Sequence, residues 1–281
     1  MTADVLRALG CLHYLRRVRV LLLAALLLIA CGTRTATTTE LSCSAPMFGR
    51  IVTQTGLTDS QCRPSCGCGA ESFTPTEFTA DRLERLGQWR LLDAPPDVSV
   101  DPFSQPAPAR VEGVCAVHVV DEGAKTYRLV THATQGEATA AGGRVTHLDP
   151  CGACSTLADL AVFGREADLG RRVQDCGVKT VAAGLEANIT CLQELGFTPA
   201  CARIWGYSTR FTRGKCLGTC FTLLDAPYHL ADGGVNECLA CDEKEGAAIL
   251  RAASGRTRRN TGVPSAVCLP CGSVARVTHD W

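Results

Sequence analysis

Residues 111–133 read VEGVCAVHVVDEGAKTYRLVTHA. Two runs rich in valine, threonine and tyrosine flank Asp121-Glu122-Gly123-Ala124. β-Branched and aromatic side chains suit a pleated, half-buried surface, and a short polar break with glycine between two such runs signals a hairpin. Gly142-Gly143 interrupts the chain again, and RVTHL at 144–148 offers a third strand. A small antiparallel sheet is therefore expected near residues 112–148. In a register centred on Glu122-Gly123, His118 pairs with Tyr127 and His132 with Gly113, which sends the two histidines to opposite faces.

Past this stretch the apolar period lengthens to that of a helix. Leu157, Leu160 and Ala161 form a stripe, and Thr156 and Asp159 stand in capping-box register. Further helices are expected over 166–176, over 178–195 with Val178, Val181, Ala182, Leu185, Ile189 and Leu192 at helical spacing, and over 242–254. Another opens at Thr198-Pro199, with Cys201, Ile204, Ser208 and Phe211 on one stripe. Upstream, 77–89 reads as a short amphipathic helix with Phe78, Leu83 and Leu86 inward, and five prolines between 94 and 110 mark an extended connector. Strands followed by helices predict an α+β fold rather than a parallel βαβ one. The expected organisation is a leader at 1–30, a threonine-rich tether and cysteine-rich loop region at 31–72, the helix and connector at 73–110, and a cysteine-rich α+β domain at 111–281.

Composition narrows the function classes. The chain has 281 residues, 28 basic and 28 acidic, with 46 % hydrophobic residues and 18 cysteines. That apolar fraction excludes a disordered chain, and the charge balance argues against a nucleic-acid partner. Near the N-terminus Arg16-Arg17-Val18-Arg19 precedes an apolar run from Val20 to Ala30, a run too short to span a bilayer and shaped like a secretory leader. Leu28-Ile29-Ala30-Cys31 resembles the lipobox of bacterial lipoproteins. The resemblance implies that Cys31 carries a lipid and becomes the mature N-terminus. It also implies that the chain meets the membrane through that anchor, and Gly32 after the cysteine implies outer-membrane sorting in a Gram-negative host.

Setting aside Cys11 in the leader and Cys31 leaves sixteen of the 18 cysteines, an even number. In an oxidising compartment such a set reads as structural disulfides. Cys191 and Cys201 flank Gly196 with equal arms, so a helical hairpin would bring them together as one bridge. Three CxxC pairs leave alternatives open. Cys151-Gly-Ala-Cys154 resembles the CGPC site of thioredoxin-like proteins, which implies a thiol–disulfide oxidoreductase with Cys151 attacking and Cys154 resolving. No tryptophan directly precedes the motif, and no partner strand with a proline follows it before Thr198. Cys238, Cys241, Cys268 and Cys271 have the ligand spacing of a tetrahedral zinc module, although the favoured reading has no cofactor.

Other chemistry is sparse. Ser elbow, P-loop, GxGxxG and HExxH patterns are lacking. His147 lies four residues before Cys151, a spacing that allows a nucleophile pair as well as a plain strand histidine. The densest basic segment is 255–262, where Arg256, Arg258 and Arg259 on a stapled loop are candidates for gripping an anion. The favoured function is a lipid-anchored, disulfide-stabilised cell-envelope protein that binds an unidentified ligand or protein partner or gives structural support.

Overall fold

The sheet is built around β4 (Val114–Asp121), paired antiparallel with β5 (Thr126–His132) on one side and with β6 (Arg144–Leu148) on the other. A short β3 (Arg90–Leu91) adds in parallel to the free edge of β5, giving the order β3-β5-β4-β6. The computed structural model describes residues 46–67, 72–94, 96, 98–106 and 108–281; the leader, the lipobox with Cys31, and Cys43 and Cys68 lie outside them. A two-residue pair, β1 (Met47–Phe48) with β2 (Cys62–Arg63), stands apart from the main sheet.

The hairpin forms where the sequence reads it, in a different register. Asp121 Oδ1 accepts from the Ala124 N–H at 2.8 Å, and Lys125 takes the left-handed conformation at φ 51°. A bulge between Val119 and Asp121 absorbs one residue, so His118 lies opposite Arg128 and His132 opposite Val114. A one-residue slip flips a side chain to the other face. His118 and His132 therefore share a face, with their Nε2 atoms 2.9 Å apart, contrary to the expected opposition.

Helices follow the caps. The main ones are α1 (Ala80–Gly87), α2 (Gln135–Ala140), α3 (Leu157–Arg165), α4 (Leu169–Lys179) and α5 (Leu185–Glu194). After them come α6 (Pro199–Cys220), α7 (Glu237–Glu245), α8 (Ala247–Ser254) and α9 (Arg258–Thr261). Thr79, Thr134, Thr156, Asp168, Thr198, Asn236 and Thr257 each accept the third backbone N–H of the helix they open. A cap of this kind contributes about 1 kcal/mol. The helix expected over 178–195 is two helices, because α4 stops at Lys179 and Gly184, at φ 87°, must be passed before α5 begins. Gly246 likewise divides the helix expected over 242–254.

One sheet face carries Val117, Val119, Tyr127 and Leu129 against α1 and α3, with Leu86, Leu157 and Leu160 fully buried between them. A second cluster joins α3, α4, α5 and the start of α6 through Phe163, Val173, Ile189, Leu192 and Phe197. Burial of such side chains is worth roughly 1.5–3 kcal/mol each. Phe103, in a short 3₁₀ turn at Pro102–Ser104, pins the proline-rich connector against α6 and α8.

Seven disulfides staple the described residues, consistent with the mixed, disulfide-bonded fold expected. Cys62–Cys268 and Cys66–Cys271 tie the β1–β2 region to the C-terminal loop. Cys115–Cys151 and Cys154–Cys201 anchor the loop after β6. Cys176–Cys191 joins α4 to α5, and Cys216–Cys241 with Cys220–Cys238 forms a two-rung clip between α6 and α7. The expected Cys191–Cys201 bridge is absent. Asp159 of α3 accepts from the Thr198 N–H and hydroxyl at 2.9 and 3.0 Å, which docks the start of α6 on the start of α3. Cys201, one turn on, thus faces Cys154, while Cys191 on α5 faces α4.

Candidate functional site

The loop Cys151–Thr156 is the first candidate, and its chemistry is structural. Cys151 and Cys154 do not pair with each other; each is bound to a different cysteine, at separations of 36 and 47 residues. A redox-active CxxC needs the two sulfurs to exchange one shared bond, so the oxidoreductase alternative is overturned. Gly152 has another purpose. A Cβ there would lie 2.6 Å from the Gly255 N, and one on Gly255 would lie 2.5 Å from the Gly152 N. Two glycines back to back let the loop touch residues 253–255, where Ala153 and Cys154 donate to the carbonyls of Ala253 and Ser254.

Arg256 locks this contact. Its guanidinium is 1 % exposed and donates to the carbonyls of Cys154, Thr146 and Ser155 and to the Thr146 hydroxyl. Burial brings its pKa down to about 10, opposed by the nearby Asp159 carboxylate, so it remains a cation at neutral pH. Every donor is turned inward, which removes Arg256 from the expected anion-gripping loop. Arg258 is half-buried, stacks on Phe163 and donates to the carbonyls of Pro264 and Glu166. Arg259 is exposed, with Glu243 at 3.9 Å. The three arginines therefore do not present one shared guanidinium surface.

His147 and Ser155 are both fully buried beside Arg256. The His147 Nδ1 lies 2.7 Å from the Leu148 carbonyl, which only accepts, so Nδ1 carries the proton and Nε2 accepts from the Ser155 hydroxyl at 2.7 Å. Burial, with the Arg256 charge, holds the imidazole neutral, its pKa far below the usual histidine range. Cys151 is in its bridge to Cys115, so a His147/Cys151 nucleophile pair does not form, and the serine–histidine pair is sealed from any substrate. Asp159 nearby is pushed up to about 6 by burial, against hydrogen bonds from Thr156 and Thr198.

The zinc alternative also falls. Cys238, Cys241, Cys268 and Cys271 go to four separate bridges with Cys220, Cys216, Cys62 and Cys66, leaving no thiolate to bind metal. Among the described residues no group of three or more His, Cys, Asp or Glu is arranged to hold a metal ion. The pairs bond neither internally nor to each other. One signal for the α6–α7 clip was present in the sequence: spacings of four (216/220) and three (238/241) each place two cysteines on one helix face.

An apolar groove of about 1000 Å³ opens to solvent, walled by α4, α6, α7 and the segments 221–235 and 256–270. Val178, Val181, Leu217 and Phe221 line it and stay 56, 57, 53 and 70 % exposed. The expected stripe is thus corrected at Val178 and Val181: α4 buries Leu169, Val173 and Cys176, which leaves Val178 off its inward face, and Val181 lies in the break between α4 and α5. The frame is cross-linked on each side. Arg171 of α4 donates to the Leu224 carbonyl and pairs with Asp225 at 2.9 Å, and the Tyr228 hydroxyl donates to Asp168 at 2.7 Å. On the other wall the two disulfides hold α6 to α7, beside a 2.5 Å bond from the Thr212 hydroxyl to Asp242. No described helix is long and apolar enough to cross a membrane.

A family of unknown function, DUF8771, matches residues 185–277. The matched stretch runs from α5 to beyond the C-terminal disulfides and includes the α6, α7 and 256–270 walls of the groove. No curated protein and no solved structure is similar to the chain.

Proposed function

We propose that this protein is an exported, lipid-anchored cell-envelope protein that binds an apolar ligand in the α4–α6–α7 groove. The observation that carries the reading is the groove itself: four large apolar side chains stay solvent-exposed on walls that disulfides and ion pairs prevent from collapsing. Exposed apolar surface gathered in a preformed concavity is the usual form of a small-ligand site, and about 1000 Å³ stands at the upper end of their range of roughly 300–1,000 Å³. Seven disulfides belong to an oxidising compartment outside the cytoplasm. The lipobox at Leu28–Cys31 supports the anchor, and the threonine-rich stretch 32–42 supports a tether between anchor and domain.

Two measurements test the reading. Intact mass of the membrane fraction should show an acylated chain beginning at Cys31, and Cys31→Ser should release protein without acyl mass. An unmodified wild-type N-terminus would refute the anchor. For the groove, the exported Cys31→Ser chain should enhance the fluorescence of the uncharged probe N-phenyl-1-naphthylamine saturably, and Phe221→Ser should weaken that signal. A flat titration would refute the ligand site.

A further inference from the structure

The charges around the groove are unevenly matched. On the acidic side, Asp242 accepts from the Thr212 hydroxyl at 2.5 Å, and burial raises its pKa. Glu243 faces Arg259 at 3.9 Å. On the basic side, Arg251 is held by Asp149 through bonds of 2.6 and 2.8 Å. Arg213 is different. It lines the groove on α6, half-buried, one turn before Leu217, and has no hydrogen-bond or ion-pair partner among the described residues. Arg258, also at the wall, bonds only to carbonyls and carries its charge without a carboxylate in contact. An apolar wall therefore ends at an uncompensated guanidinium.

We infer that the groove takes a single-chain amphiphile with an anionic head, the chain lying along Val178, Val181, Leu217 and Phe221 and the head meeting Arg213. The inference rests on the groove being a ligand site. A planar guanidinium binds carboxylate and phosphate alike through paired N–H donors, so a free fatty acid and a lysophospholipid present the same chemistry to it. The aliphatic stem of Arg213 continues the apolar wall, and only its tip requires an anion. A cationic amphiphile of the same chain meets the field of Arg213 and Arg258 instead.

Competition at the uncharged probe tests this on the exported Cys31→Ser chain. The competitors share a twelve-carbon chain: dodecanoate, dodecanoyl-lysophosphatidate, dodecanol and dodecyltrimethylammonium, each below its micellar concentration. A charge-assisted hydrogen bond predicts displacement by at least one anion at roughly tenfold lower concentration than by dodecanol. The stronger anion identifies the source of the head group. Arg213→Gln should bring that anion to within about threefold of dodecanol, with dodecanol itself unchanged, since it removes only the charged contact. Equal displacement by dodecanol and both anions, or an anion preference that survives Arg213→Gln, overturns the inference while probe binding keeps the groove as a ligand site. Absence of probe binding overturns both.

Discussion

His279 gives this fold a measurable acid sensitivity. The ring is 1 % exposed near the C-terminus, packed by Phe78 at 5.7 Å, with Nε2 3.0 Å from the Thr261 carbonyl. That carbonyl accepts the Nε2–H, and Nδ1 is buried without a partner. A second proton would sit on Nδ1 with nothing to receive it. Burial, aided by the Arg256 and Arg82 charges and opposed by the Thr261 bond, lowers the pKa to about 3 from 6.5. The folded pKa is depressed below the unfolded one, so below pH 6.5 the unfolded chain binds the extra proton. The stabilisation is complete above that pH and is lost as pH falls toward 3. At about 1.4 kcal/mol per pH unit, the loss between pH 6.5 and pH 4 is roughly 3 kcal/mol. His279→Phe removes the titration and leaves the Thr261 carbonyl unpaired, a cost of about 1 kcal/mol at pH 7. Guanidinium unfolding of the oxidised chain should find the variant about 1 kcal/mol less stable at pH 7 and about 2 kcal/mol more stable at pH 4. Asp159, whose raised pKa has the opposite sign, is common to both proteins and drops out of the difference. A wild-type-minus-variant difference that stays constant between those pH values would refute the reasoning.

Other consequences follow from the same structure. Gly152→Ala drives a Cβ against the backbone of residues 253–255, so it should lower stability by about 1–3 kcal/mol in the same unfolding assay; a neutral result would refute the back-to-back packing. Gly214→Ala, inside α6 with nothing within 4 Å of the new Cβ, should instead raise stability by roughly 1 kcal/mol. Removing the Cys216–Cys241 rung with paired alanines should cost about 2–3 kcal/mol and leave Cys220–Cys238 intact on a peptide map. The same map of the wild type should link Cys151 to Cys115 and Cys154 to Cys201, and a Cys151–Cys154 peptide would overturn the loop described above.

Local features were legible in the sequence, and distant contacts were not. Thr156 and Thr198 mark their helices because a cap acts within three residues, and the hairpin at 114–132 is read from adjacent runs. CGAC misleads for the complementary reason. Its four residues carry the form of a redox motif, but the partners that decide its chemistry lie far away in the chain. Arg256 sits in a charge run of the kind that is usually solvated, yet it is buried because Thr146, Cys154 and Ser155 converge on it from more than a hundred residues upstream. The histidine pair at 118 and 132 escapes because a single bulged residue inverts a face.

By itself the sequence determined the central hairpin and its third strand, the run of helices after them, the caps at Thr156 and Thr198, and a cysteine content suited to an oxidising compartment. Periodicity, capping and composition are properties of neighbouring residues, so the linear text carries them. Tertiary structure alone decided which cysteine meets which, which arginine is buried and which stays unpaired, and that Val178 and Val181 turn outward onto a groove. Each of those outcomes depends on the docking of separate elements, as when Asp159 seats the start of α6 and aims Cys201 at Cys154.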